Sequence, residues 1–239
     1  MFRTIGFYLY FFIRGFASFL ERWRAERIQL DTIEETDWAR IKTPRLWAKT
    51  LVDIVGGRVT VNGADNLPKG AVVFVANHQG SFDIPVLIAF IPKPFGFISK
   101  IEVLKIPIVG GWMRVMNCVF MDRSSRVKST QAIGEGVEVL KAGHSLVIFP
   151  EGTRSKGGPV QSFKAGSVRL AIDAEVPIVP IAIDGTADML EKNKFFMTPA
   201  DVTITILPPI PVEKIKSMDS KELAGYVQGL ISPYVKTTR

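Results

Sequence analysis

From residue 56 onward the sequence alternates short apolar runs with longer stretches of helical spacing, and this alternation limits the fold more than any other feature. AVVFVA (71–76), FGFI (95–98), NCVFM (117–121), SLVIF (145–149), PIVPIAI (177–183) and VTITIL (202–207) have strand length and are rich in β-branched and aromatic residues. Between and after them, IPVLIAFI (84–91), Val127 to Ala142, Ala165 to Ala174 and Lys221 to Ile231 have helical spacing. Pro85 is tolerated in a first helical turn, and Gly143 is placed as a helix stop. Strands that are apolar throughout are buried on both faces. The pattern therefore predicts an α/β fold, a central mostly β-sheet core flanked by helices.

The first 55 residues read differently. Ile5 to Leu20 is almost continuously apolar, interrupted by Arg14 and Ser18, and Arg22, Arg24 and Arg27 follow at once. As a helix this run is about 24 Å long, shorter than a hydrocarbon core of roughly 30 Å. An arginine at the bilayer centre is costly. The segment is therefore expected to enter one leaflet, with its arginines at the headgroups; a signal peptide competes with this reading but lacks a clean small-x-small cleavage site, and a core helix is the other alternative. A second helix carries Trp47, Leu51 and Ile54 on one face, with Lys42, Arg45 and Lys49 nearby. Its Trp38 and Trp47 suit a membrane interface, or the helix packs on the globular core. Residues 1–55 are thus expected to form a two-helix membrane-docking element and residues 56–239 the α/β domain.

Composition narrows the partners. A net charge of +7 favours anionic ones, and 47% hydrophobic residues lean towards a membrane surface. A nucleic-acid binder would pair a basic stripe with stacking aromatics, whereas the aromatics here crowd into the N-terminus. The single cysteine, Cys118, excludes an intrachain disulfide and a cysteine-based zinc site. No metal is expected, because the only histidines, His78 and His144, lie far apart in sequence with no carboxylate cluster at ligand spacing. His144 follows Gly143 at a helix end and reads as a surface or capping residue.

Three segments follow strand runs directly, where α/β folds place their sites. In ANHQGSFDIP (76–85), a turn at Gly80 lets Asp83 meet His78. A neutral imidazole accepts a proton from a hydroxyl, and a carboxylate on its other nitrogen fixes the tautomer. Asp83 also suits a helix cap. In FPEGTRS (149–155), Arg154 offers a planar fork for phosphate or carboxylate, and Glu151 orients Arg154 or backbone donors. The following SFKAGSVRLA places Ser162, Lys164 and Gly166 before a helix, where exposed amides favour anions. In VFMDRSS (119–125), Arg123 is a second phosphate ligand or the partner of Asp122. Lys100 is a further cation at a strand end.

Together these segments resemble the glycerolipid acyltransferase family that includes 1-acyl-sn-glycerol-3-phosphate acyltransferases. Asn77-His78…Asp83 is similar to its first block, VFMDR (119–123) to its second, FPEGTRS (149–155) to its third and VPIVPIAI (176–183) to its fourth. The resemblance covers roughly residues 58–210. It implies transfer of a fatty acyl group from an acyl thioester, on acyl-carrier protein or coenzyme A, to the sn-2 hydroxyl of lysophosphatidic acid. The product would be phosphatidic acid; glycerol 3-phosphate and other lysolipids are alternative acceptors, and a non-enzymatic lipid-binding protein is the alternative from another class. His78 would be the general base and Asp83 its orienting partner. Arg154, Lys100 and Arg123 would hold the acceptor phosphate, with Glu151, Gly152 and Thr153 completing the binding turn. Amides around 151–153 are candidates for the oxyanion donors. Neither Ser81 nor Cys118 is required as a nucleophile, and no cofactor beyond the thioester is implied. Membrane lipids would be partners, nucleic acid would not, and the expected location is monotopic, on the cytoplasmic face.

Overall fold

The computed structural model describes residues 1–106, 108–193 and 196–236. The chain opens with helices α1 (Phe2–Ala17), α2 (Phe19–Ala25) and α3 (Ile33–Val55). Edge strand β1 (Gly57–Asn62) follows, then β2 (Val73–Ala76), α4 (Asp83–Phe90), β3 (Gly96–Lys100), α5 (Val109–Val115) and β4 (Val119–Met121). Next come α6 (Arg126–Lys141), β5 (Leu146–Ile148), α7 (Ala165–Ala174), β6 (Ile178–Asp184) and β7 (Ala200–Ile206). Helices α8 (Val212–Lys216) and α9 (Ser220–Ile231) end the order.

Among the described residues, seven strands form one sheet in the order β1-β7-β6-β2-β5-β3-β4. Every neighbouring pair is parallel except β6 and β7. The carboxyl ends of β2, β3, β4, β5 and β6 therefore share one rim. Successive side chains of a strand point to opposite faces, and β2 shows it. Phe74 packs with Val52, Val55, Leu87 and Ile181 on one face; Val73 and Val75 pack with Leu140, Leu170 and Val227 on the other. Truncating one such buried side chain to alanine costs about 2–5 kcal/mol.

Three elements were not anticipated. Strand β1 alternates exposed and half-buried positions because it pairs only with β7 at the sheet edge, so it lacks the all-apolar signature. Helices α5 and α8 span only 7 and 5 residues, too short for a periodic signal.

The N-terminal helices depart from expectation in detail. The apolar run is broken at Ser18 into α1 and α2. The Ser18 hydroxyl donates to the Gly15 carbonyl (2.6 Å) and accepts from Trp112 Nε1 (2.8 Å), a side-chain bond that competes with the helix ladder. Arg14 is ion-paired with Glu21 at 2.7 Å, and Glu21 also accepts from Thr43 of α3. Trp47 does not sit at an interface. It is 7% exposed, with its ring 4.9 Å from that of Phe11 in α1. Helix α3 starts with a Thr32–Glu35 capping box and sends Ile41, Val52 and Val55 into the sheet's own core. By contrast, α1 and α2 leave Phe2, Leu9, Ile13, Phe16, Phe19 and Leu20 exposed. Among the described residues, no helix is long and apolar enough to cross a membrane.

His144 corrects a second reading. Its side chain is 16% exposed, and its Nδ1 donates to Asp37 of α3 at 2.7 Å. Asn117, with φ +55, donates to the other Asp37 oxygen at 3.1 Å. The histidine thus ties α3 to the α/β body, because the turn after α6 folds back under that helix instead of facing solvent.

Candidate active site

The loop after β2 reverses at Gly80 and returns into α4, of which Asp83 is the first residue. The chain reversal brings the Asp83 carboxylate back to the histidine. His78 Nδ1 donates to Asp83 Oδ2 at 2.6 Å, and Asp83 is fully buried. That oxygen also accepts the Gly80 N–H (3.0 Å), and Oδ1 accepts from the Thr186 hydroxyl. The His78 ring stacks on Phe149 at 4.1 Å between centroids. Among the described residues, His78 Nε2 makes no hydrogen bond. One ring nitrogen is therefore fixed by a carboxylate and the other is left to a ligand, the arrangement a general base needs.

The loop's backbone is held by other carboxylates. Glu151, 4% exposed, accepts the His78 N–H through Oε1 (2.6 Å) and the Gln161 N–H through Oε2 (2.9 Å). Burial pushes the Glu151 carboxyl above its ordinary value, with the two N–H bonds opposing that shift. Both oxygens serve backbone donors, so this side chain supports the loop from beneath. Ser155 and Lys156 N–H groups add bonds to the His78 and Gln79 carbonyls, at 2.8 and 3.0 Å. Gln79 in turn accepts the Gly185 N–H (2.9 Å), linking the loop to the end of β6.

The cations fall into two groups. Arg154 Nη1 donates to the Ser81 hydroxyl and to Glu191 Oε1, the latter at 3.1 Å. Arg123 Nη1 donates instead to the Gly152 carbonyl at 2.8 Å. The alternative partner of Arg123, Asp122, is occupied by Lys128 at 2.6 Å. Lys100 is exposed at the end of β3, in register with Met121, two residues before Arg123. Gly152 has φ +73, and a Cβ there would collide with the Lys164 ammonium. Lys164 therefore belongs beside Arg123 and the 150–153 turn.

Within that turn the Gly152 N–H is used by the Phe149 carbonyl (3.2 Å). The Glu151 and Thr153 N–H groups remain without a hydrogen bond among the described residues. They are the candidate amides of this turn for an oxyanion. Cys118 is buried and accepts the Phe97 N–H at 3.2 Å, with its thiol pushed up to about 12 by burial. Burial and the raised thiol both disfavour the reactive thiolate. Among the described residues, no group of three His, Cys, Asp or Glu side chains is arranged to hold a metal ion.

Sequence reasoning missed Thr186 and Glu191. Thr186 was within reach: it follows Asp184-Gly185 at the carboxyl end of β6, the position the strand-end rule flags.

Comparison with known proteins identifies the family. The acyltransferase family profile matches residues 58–184. The 1-acyl-sn-glycerol-3-phosphate acyltransferase of Borreliella burgdorferi is 30% identical over 187 residues, 78% of this chain and 75% of that protein. The protein of the same name from Cocos nucifera is 31% identical over 203 residues, 83% of this chain and 65% of the plant protein. The crystal structure of the 1-acyl-sn-glycerophosphate (LPA) acyltransferase PlsC from Thermotoga maritima superposes with a TM-score of 0.83 at 32% identity, covering 97% of this chain and 92% of that one. The chain belongs to the acyltransferase family, and is an enzyme rather than a non-enzymatic lipid-binding protein.

Proposed function

We propose that this enzyme transfers a fatty acyl group from an acyl thioester to the sn-2 hydroxyl of 1-acyl-sn-glycerol 3-phosphate, forming phosphatidic acid. The observation that carries the reading is the 2.6 Å bond between His78 Nδ1 and buried Asp83, which leaves Nε2 without a partner among the described residues. His78 Nε2 takes the proton from the sn-2 hydroxyl as its oxygen attacks the thioester carbonyl. The resulting imidazolium is stabilised by Asp83, whose other oxygen is held by Thr186. The tetrahedral oxyanion is received by the Glu151 and Thr153 amides. It collapses with cleavage of the C–S bond, and the imidazolium returns the proton to the thiolate. Arg154, Lys100, Arg123 and Lys164 hold the acceptor phosphate, which places the hydroxyl at the base. The exposed apolar side chains of α1 and α2 dock the enzyme on a lipid surface, where both acyl chains reside.

The test is acyl transfer to lysophosphatidic acid by wild type and by folded His78→Ala, with acyl-carrier-protein and coenzyme A thioesters supplied separately. Product from wild type and none from the variant supports acceptor and base together, and the better thioester names the donor. A folded wild type that uses neither thioester with this acceptor rules the acceptor out. Full activity in His78→Ala rules the base out.

A further inference from the structure

Glu191 stands in the short 3₁₀ turn Glu191–Asn193, outside all four sequence blocks of the site. Its side chain is 6% exposed. Oε1 gathers three donors: the Ser81 N–H (2.7 Å), the Ser81 hydroxyl (2.9 Å) and Arg154 Nη1 (3.1 Å). Oε2 is buried and has no hydrogen-bond partner among the described residues. It lies against Gly80, where any Cβ would collide with it. A buried carboxylate is retained against a desolvation penalty of several kcal/mol only where charge and hydrogen bonds offset it. The cation that offsets it here is Arg154, whose side chain remains 44% exposed.

We infer that Glu191 is a positioning residue for Arg154: the Glu191–Ser81–Arg154 triangle fixes one edge of the guanidinium and presents its remaining N–H groups to the acceptor phosphate. The inference rests on the acceptor reading above. A guanidinium is a rigid plane of five donors, so fixing Nη1 sets the direction of the others. An arginine held this way loses less freedom when phosphate arrives. Without Glu191, Arg154 is a long, partly exposed side chain with only a serine hydroxyl to hold it. The same carboxylate holds the Ser81 N–H, within the span that joins His78 to Asp83. The base and the phosphate-binding arginine thus share one support.

Glu191→Gln keeps an acceptor for Ser81 and removes the charge that pairs with Arg154. Steady-state kinetics with lysophosphatidic acid are measured for wild type, Glu191→Gln, Glu191→Asp, Arg154→Ala and the Glu191→Gln/Arg154→Ala double variant. The expected result is a roughly tenfold higher KM in Glu191→Gln with kcat within about twofold, and partial recovery in Glu191→Asp. In the Arg154→Ala background, Glu191→Gln is expected to change KM by less than about twofold, because its effect runs through the arginine. A fall in kcat at unchanged KM, or the same tenfold rise without Arg154, overturns the inference. A wild type that does not use lysophosphatidic acid defeats the acceptor reading separately. The pairing is then read directly from Arg154 modification by phenylglyoxal, followed by mass spectrometry of the intact proteins. Faster modification in Glu191→Gln than in wild type supports Glu191 as the residue that holds Arg154, and equal rates overturn it.

Discussion

Glu151 holds His78 by its backbone, not by its ring: the carboxylate accepts the histidine N–H at 2.6 Å while Asp83 takes Nδ1 at the same distance. The base is therefore fixed at two points by two acids from different strand ends. Removing Glu151 leaves the half-buried His78 N–H without its acceptor, and an unsatisfied buried donor costs about 1–3 kcal/mol. Glu151→Ala is expected to lower kcat by about one to two orders of magnitude, at 1.4 kcal/mol per tenfold, with a much smaller change in KM. Circular dichroism and steady-state kinetics check this.

The charge on Glu151 also sets a pH dependence. Burial raises its carboxyl above the ordinary 4.5. A carboxyl raised by folding contributes stability that is fully present below its unfolded value and is lost as pH rises through its folded value. Glu151→Gln does not titrate at this position. Urea denaturation of the two proteins, run upward from pH 4, is expected to show wild type losing stability relative to Glu151→Gln above about pH 4.5, and then a constant difference. The glutamine still has only one oxygen for two N–H donors, so activity falls at every pH.

Thr186 acts on the other partner of the base. Its hydroxyl donates to Asp83 Oδ1, and the residue is fully buried. Thr186→Val has nearly the same shape but no donor, and leaves one carboxylate oxygen unsatisfied. The expected outcome is about a tenfold loss of kcat together with a lower Tm, for a cost of about 1–3 kcal/mol. Thr186→Ser restores the donor and is expected to recover most of the rate.

These residues show how much of the site was legible from sequence. The pairing of His78 with Asp83 could be read because both lie in one loop whose turn is made by Gly80. Arg123 and Arg154 stood directly after strand runs. Thr186 lies 103 residues from Asp83, and Glu191 lies 110 from Ser81 and 37 from Arg154, so no local spacing reveals them. Their places follow from strand order: β6 comes to lie beside β2 only once the sheet is assembled. The same holds for His144, which looked like a surface residue because its acceptor, Asp37, is 107 residues away. The α/β core was legible because strands buried on both faces are apolar throughout; edge strand β1 lacks that pattern.

Cys118 offers a negative control on the mechanism. Burial pushes its thiol up to about 12, so the reactive thiolate is disfavoured at neutral pH. The side chain is buried beneath the β3–β4 end of the sheet. Incubation of the folded enzyme with N-ethylmaleimide is expected to leave both the thiol, counted by mass spectrometry, and the activity intact. Rapid inactivation on alkylation of Cys118 would bring the thiol into the reaction and displace the direct attack of the acceptor hydroxyl.

The apolar face of α1 and α2 carries the membrane prediction. Leu9, Ile13 and Phe16 are 59, 62 and 66% exposed, so exchanging them for glutamine, a good helix former, removes little packing. Their transfer into hydrocarbon is worth several kcal/mol together, at ~25 cal/mol per Å². Exposed Arg24 and Arg27 add attraction to anionic headgroups. The triple variant is expected to keep the wild-type Tm within a few degrees and to lose flotation with vesicles containing phosphatidylglycerol. Its transfer to lysophosphatidic acid embedded in those vesicles is expected to fall at least tenfold, because the acceptor is then reached only from water. Transfer to a short-chain lysophosphatidic acid dissolved as monomers is expected to stay within about twofold, since the His78 loop lies on the sheet rim and not on these helices. Flotation unchanged by the three substitutions would move the docking surface away from this face; loss of both activities would show that α1 shapes the catalytic site itself.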